Sequence, residues 1–246
     1  METPIKIPPT VKIQTFASYE ALSQAVAERV AEQIKAKPDS VLGLPTGNTP
    51  LGTYKELAAR SEAKHKDAPD YVDWSKARCF GLDDYIDVDE RFSFHAFLVD
   101  KIYKHTNLDS SRTFYPALTD DYDGLIREIG GLDLTLLGIG NNGHIAFNEP
   151  GTCPASWTHC TWLDESTRQA NKAAFEGNTP PTRAVTMGLA TILSSRKILL
   201  IVSGEKKKSI LEKALCQPIS RDVPASLLQS HGAVEVLTDF PVSCAI

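Results

Sequence analysis

Apolar positions follow two alternating rhythms along this chain. Residues 11–16 form a short apolar run. From Ser18 onward Leu22, Val26, Val30 and Ile34 recur four apart until Pro38, the spacing of one helix face behind a serine cap. Residues 41–44 are continuously apolar, as in a strand buried on both faces. The turn Pro45-Thr46-Gly47-Asn48-Thr49-Pro50 follows, then a second helical stripe at Leu51, Tyr54 and Leu57. Segment 61–73 is polar and reads as a loop or ragged helix end. A strand is predicted at 77–82, followed by the acidic stretch Asp83-Asp84-Tyr85-Ile86-Asp87, and Phe94, Phe97, Leu98 and Ile102 mark a third helix. The second half repeats the alternation: a strand at 132–139, a loop rich in Gly, Asn and Pro at 140–154 and a short strand at 160–163. A strand end at 184–186, a helix at 188–193, a strong strand at 197–202, a lysine-rich helix at 206–215 and a last strand at 234–237 complete it. Such alternation predicts an α/β protein whose mostly parallel sheet is covered on both faces. Without a linker or internal repeat, residues 1–246 are expected to form one domain, with the loop-like zone 151–181 as a candidate lid.

Composition narrows the function without naming it. The 246 residues are 42% hydrophobic and 23% charged, enough for a sizeable core and unlike collagenous or wholly disordered chains. A net charge of −5 removes the electrostatic case for a nucleic-acid partner. With no apolar run of about 18 residues, no membrane span is expected, and the opening METPIKIPPTVK lacks the apolar core of a signal peptide. The five cysteines form no CxxC pair and read as free thiols of a cytoplasmic protein, although Cys153, His159 and Cys160 lie close enough to raise a metal question.

The candidate chemistry sits directly after apolar strands, where open parallel sheets bind ligands. The turn at 45–50 offers small residues, two threonine hydroxyls and a following helix start suited to a phosphate, but no Gly-Lys-Ser/Thr ending of a nucleotide loop. Asp83 and Asp84 offer a general base or a metal ligand; on an extended chain they point apart, so one faces the site while the other caps a turn. In Gly138-Ile139-Gly140-Asn141-Asn142-Gly143-His144-Ile145-Ala146-Phe147-Asn148-Glu149-Pro150, a histidine and a carboxylate share one loop, a pairing suited to proton transfer. After the strand at 197–202, Ser203-Gly204-Glu205-Lys206-Lys207-Lys208 can deliver a lysine to an anion.

Taken together, GLPTGNTP, LDDY, GIGNNGHIAFNEPGT, RAVTMGLATIL and IVSGEK resemble the glucosamine-6-phosphate deaminase/isomerase family, in order from about Val11 to about Asp239. The resemblance implies a three-layer α/β/α modified Rossmann-like fold. It also implies conversion of an amino-sugar 6-phosphate to a ketohexose 6-phosphate and ammonia through ring opening and an enolamine, without metal or organic cofactor. Carried over, Asp83 is the C2 base, His144 the ring-opening acid/base, and Glu149 the carboxylate that orients it, with Asn142 beside them. Thr46, Gly47, Asn48, Thr49 and Gly143 line the substrate site, and Lys207 is the phosphate lysine, with Lys206 and Lys208 as neighbours in register. The expected partner is a small-molecule amino-sugar phosphate, with no nucleic acid or membrane, and the protein a monomer or small homo-oligomer.

Three departures from the family pattern stand out. Asn142 replaces an aspartate of the longer, allosteric members. Asn48 replaces a glycine of the phosphate turn. Ala173 replaces a phosphate arginine, a bidentate partner, leaving Lys172 or Arg183 as substitutes. Glucosamine 6-phosphate is the expected substrate, giving fructose 6-phosphate; galactosamine 6-phosphate, giving tagatose 6-phosphate, is the alternative that Ala173 suits. A 6-phosphogluconolactonase-like esterase and a non-catalytic sugar-phosphate sensor rank lower. His159 and Thr161 stand where allosteric members carry basic residues, and little sequence follows the last strand, so a short, unregulated enzyme is expected.

Overall fold

Strands and helices alternate much as the apolar rhythm predicts. The computed structural model describes residues 11–62 and 66–243. The opening read as lacking a signal peptide falls largely outside them, as do part of the polar stretch 61–73, Cys244 and the last residues of the expected single domain. In chain order the elements are β1 (Val11–Thr15), α1 (Tyr19–Ala36), β2 (Val41–Leu44), α2 (Leu51–Ser61), β3 (Arg78–Gly81), β4 (Asp83–Tyr85), α3 (Phe94–Lys101), β5 (Thr113–Phe114) and α4 (Tyr122–Glu128). They continue with β6 (Leu134–Leu137), β7 (His159–Trp162), α5 (Glu165–Asn171), β8 (Arg183–Thr186), α6 (Leu189–Leu193), β9 (Lys197–Val202), α7 (Lys208–Cys216) and β10 (Val234–Thr238). Ser18 caps α1 as its type suggests, its hydroxyl accepting Ala21 N–H at 3.2 Å.

Seven strands form one parallel sheet in the order β1-β10-β9-β6-β2-β3-β5. The period of two along β9 explains why helices cover both faces. Ile198, Leu200 and Val202 pack in one cluster with Leu189 and Ile192 of α6 and Leu211 and Leu215 of α7. Leu199 and Ile201 pack in the other with Leu22 and Val26 of α1 and Tyr54 and Leu57 of α2. Each such side chain, fully buried, contributes roughly 1.5–3 kcal/mol. The result is a three-layer α/β/α, Rossmann-like arrangement.

The structure also corrects the sequence reading. The acidic stretch is not simply the end of the preceding strand: Asp83–Tyr85 is a strand of its own, β4, in a second, antiparallel sheet ordered β4-β8-β7, with Asp83 opposite Thr186. Three residues are too few to show a period, and their pairing partner lies about a hundred residues on. For the same reason the two-residue β5 and the seven-residue α4 escaped notice. Zone 151–181 is not merely loop, since it carries β7 and α5. The lysine-rich helix opens with a 3-10 turn over Glu205–Lys207 before α7 begins. Cys79, Cys153 and Cys160 are free, whereas Cys216 is disulfide-bonded, which corrects the reading of five free thiols. A bridge need leave no short spacing in the sequence. Among the described residues no helix is long and apolar enough to cross a membrane.

Candidate active site

The carboxyl ends of four adjacent strands, β9, β6, β2 and β3, converge on one cavity of about 360 Å³. After β2 the chain turns at residues 45–50, where Gly47 has φ +90°, a conformation that only glycine adopts without strain. Two tyrosines hold this turn. Tyr54, buried on α2, donates to Pro45 O at 2.5 Å. Tyr19, at the start of α1, donates to Thr49 O at 3.0 Å and accepts Gly52 N–H at 2.8 Å. Thr46, Gly47, Asn48 and Thr49 all line the cavity, and α2 begins beside them without a side-chain cap. Peptide N–H groups so placed suit an anion.

The two aspartates divide their tasks as the strand geometry predicts. Asp84 turns away and accepts Tyr85 N–H at 2.8 Å, Phe94 N–H at 2.7 Å and His95 N–H at 3.1 Å, anchoring the start of α3. Asp83 lines the cavity while only 7% exposed. Burial first, and the neighbouring Asp84 second, push its carboxyl well above the usual carboxylate range. A carboxylate so destabilised is a stronger base than one in water.

His144 is set by its loop. Gly143 takes φ +87°, and Gly140 leaves room for the imidazole: a Cβ there would fall 2.2 Å from His144 Cε1. Glu149 Oε2 lies 3.4 Å from His144 Nδ1 and accepts Asn142 Nδ2 at 2.7 Å, while its Oε1 accepts Asp164 N–H at 3.3 Å. Asn142 Oδ1 in turn accepts His144 N–H at 3.2 Å. Burial acts to raise the Glu149 carboxyl, but hydrogen bonds from His144, Thr167 and Asn142 together outweigh it and hold the group below its ordinary value. Thus Asn142 and Glu149 stand behind the imidazole rather than on the cavity wall.

Of the three lysines, Lys207 reaches the cavity. Its Nζ donates to Ile139 O at 2.8 Å, and burial pulls its ammonium below the ordinary lysine range. Lys206 and Lys208 do not line the cavity. Neither do the suggested substitutes for the missing arginine: Lys172 is exposed, and Arg183 pairs with Asp87 at 2.7 Å. Local sequence gave both a charge near the right place, but their strands and turns aim it outward.

Thr167, Ala170 and Asn171 of α5 also line the cavity, and none of the three was among the expected site residues. The available signal was their i, i+3, i+4 spacing, which puts small and polar side chains on one helix face. The metal question at residues 153–160 resolves locally. His159 Nδ1 lies 2.7 Å from Trp157 O, Cys153 and Cys160 are exposed, and no His/Cys/Asp/Glu group among the described residues is arranged to hold a metal ion.

A parallel sheet with a glycine-containing turn, a buried carboxylate and a carboxylate-backed imidazole at its strand ends has the parts of an enzyme that moves protons on a small anionic molecule. Residues 15–237 match the family of glucosamine-6-phosphate isomerases/6-phosphogluconolactonase, and the chain belongs to that family. It is 41% identical to a glucosamine-6-phosphate deaminase of Lachnoclostridium phytofermentans, over 94% of this chain and 100% of that protein. It is likewise 41% identical to glucosamine-6-phosphate deaminase 1 of Bacillus subtilis strain 168, over 93% of this chain and 97% of that protein. A solved monomeric glucosamine-6-phosphate deaminase, described as a missing link of the NagB superfamily, superposes with a TM-score of 0.86 at 42% identity, covering 92% of this chain and 96% of its own.

Proposed function

We propose that this protein is an amino-sugar-6-phosphate deaminase/isomerase converting glucosamine 6-phosphate to fructose 6-phosphate and ammonia. The carrying observation is that one cavity joins a buried carboxylate, an imidazole backed by a second carboxylate, and a half-buried lysine beside an anion-suited turn. In this reading the substrate phosphate rests on Thr46, Gly47, Asn48, Thr49 and Lys207. His144, oriented by Glu149 and Asn142, moves a proton from the anomeric hydroxyl to the ring oxygen and opens the pyranose. Asp83 then removes the C2 proton; the released electron pair forms the C1–C2 double bond of an enolamine while the C1 carbonyl π pair moves to O1, which takes a proton. Return of a proton to C1 leaves an imine at C2. Water adds there, ammonia leaves, and a 2-ketose remains. The raised basicity of Asp83 supports its role, because a C–H proton needs a strong base. The reading uses no metal or organic cofactor.

Residues 1–246 act in this reading as one cytoplasmic domain, with 151–181 as a lid whose helix α5 already contributes to the cavity wall. The partner is a small-molecule sugar phosphate rather than nucleic acid or membrane. The monomeric solved relative supports a monomer within the expected range of monomer to small homo-oligomer.

The test is ammonia release from glucosamine 6-phosphate and galactosamine 6-phosphate in parallel, with hydrolysis of 6-phosphogluconolactone as a third substrate. Faster release from the gluco epimer is expected, in keeping with the named relatives. Turnover of the galacto epimer alone would move the assignment to the tagatose 6-phosphate branch. Lactone hydrolysis well above background without ammonia release would overturn the deaminase assignment.

A further inference from the structure

The contacts around His144 Nδ1 point to a residue outside the histidine loop. Two oxygens face this nitrogen at nearly equal distances: Glu149 Oε2 at 3.4 Å and Thr167 Oγ1 at 3.3 Å. Each is long for an N–H···O bond, so neither alone holds the ring firmly. Thr167 is 3% exposed, so its hydroxyl sits out of water beside the ring. It sits on α5, whose capping residue Asp164 sends its own N–H to the other Glu149 oxygen at 3.3 Å. The helix therefore meets the imidazole–carboxylate pair at two points.

We propose that Thr167 is a positioning residue for His144. Its hydroxyl presents its oxygen to Nδ1–H beside Glu149 Oε2, so that Nδ1 shares its proton between two acceptors. This fixes the neutral imidazole with its proton on Nδ1 and leaves Nε2 bare to take a proton from substrate. The orienting partner of the histidine then comes from two separate elements, the loop after β6 and helix α5. Docking of α5 over the cavity completes the acid/base group. The tautomer assignment rests on the geometry alone; its catalytic consequence rests on the deaminase reading above.

Two measurements separate these layers. Nitrogen NMR on protein labelled in its histidines, with the His144 signals identified by their loss in His144→Gln, reports which ring nitrogen carries the proton in alkaline buffer. Wild type and Thr167→Ser are expected to show His144 protonated on Nδ1, and Thr167→Val a mixture of the two tautomers. In ammonia-release kinetics Thr167→Val is expected to lose roughly tenfold in kcat with KM within about threefold, and Thr167→Ser to stay within about threefold of wild type. A wild-type tautomer pattern in Thr167→Val, or equal losses in both variants, would overturn the proposal, the latter because it marks a packing role only. A wild-type protein that releases no ammonia would sink the deaminase reading while the NMR comparison still decides the role of Thr167.

Discussion

Asp83 and Asp84 are adjacent on β4, yet their carboxylates meet opposite surroundings: three backbone N–H groups hold Asp84, while no donor among the described residues reaches Asp83, which faces the cavity. The alternation of a strand separates them. One carboxylate fixes the wall, and the other faces the cavity without a hydrogen-bond donor among the described residues.

Asp83→Asn keeps the shape and removes the carboxylate proposed as the base. Ammonia release is expected to fall about 10²–10⁴-fold, while titration calorimetry with a hexitol 6-phosphate still shows binding. The same variant is expected to be more thermostable at neutral pH. Because burial raises the folded-state pKa, the native protein binds more protons than the unfolded chain between the two values. Stability therefore drops as pH rises above the ordinary aspartate value. The Tm advantage of Asp83→Asn over wild type should widen as pH rises above the ordinary aspartate value of about 4; a constant difference would contradict the burial argument.

Lys207→Met removes the cation of the cavity wall. Loss of one charge-assisted hydrogen bond, roughly 1.5–3 kcal/mol, corresponds to about a 10- to 150-fold rise in KM, with kcat less affected. Because burial lowers the lysine pKa, wild-type affinity for inorganic phosphate should decline at a pH below that at which an ordinary lysine discharges. Competitive inhibition by phosphate across a pH series measures this.

Asn142→Ala takes a donor from Glu149. The carboxyl, held low by its hydrogen bonds, is then expected to titrate higher, moving the acidic limb of kcat/KM upward in pH. The sign for stability follows: a depressed folded pKa contributes stability above the ordinary glutamate value, lost as pH falls through the folded one. Asn142→Ala should weaken that contribution, so its Tm deficit against wild type should shrink at acid pH.

Gly140→Ala tests how the imidazole is seated. The added methyl would meet the ring, so His144 must leave its place beside Glu149. Overpacking of this kind costs roughly 1–3 kcal/mol, and kcat is expected to fall by about 10²-fold or more from loss of the acid/base group. A variant with unchanged kcat would show that the loop yields without moving His144.

The strands that build the main sheet were legible wherever they were long and apolar. Residues 197–202 match β9, and 41–44 match β2, because burial on both faces demands continuous apolar side chains. Asp83, His144, Glu149 and the run Lys206–Lys208 stood out as candidates because each follows such a strand, and the family resemblance pointed to Lys207 within that run. Strand β4 was not, since its pairing with β8 is a long-range contact that three residues cannot signal.

By itself the sequence determined the alternation of elements, the family motifs and the candidates for base, acid and phosphate cation, because period and residue chemistry are local properties. Only the tertiary structure decided which candidates meet. It selected Lys207 over Lys206 and Lys208, turned Arg183 outward onto Asp87, and brought Thr167 of α5 to the Nδ1 side of His144. Those outcomes depend on strand order and on the direction in which each element aims its side chains, and neither is written in any short stretch of chain.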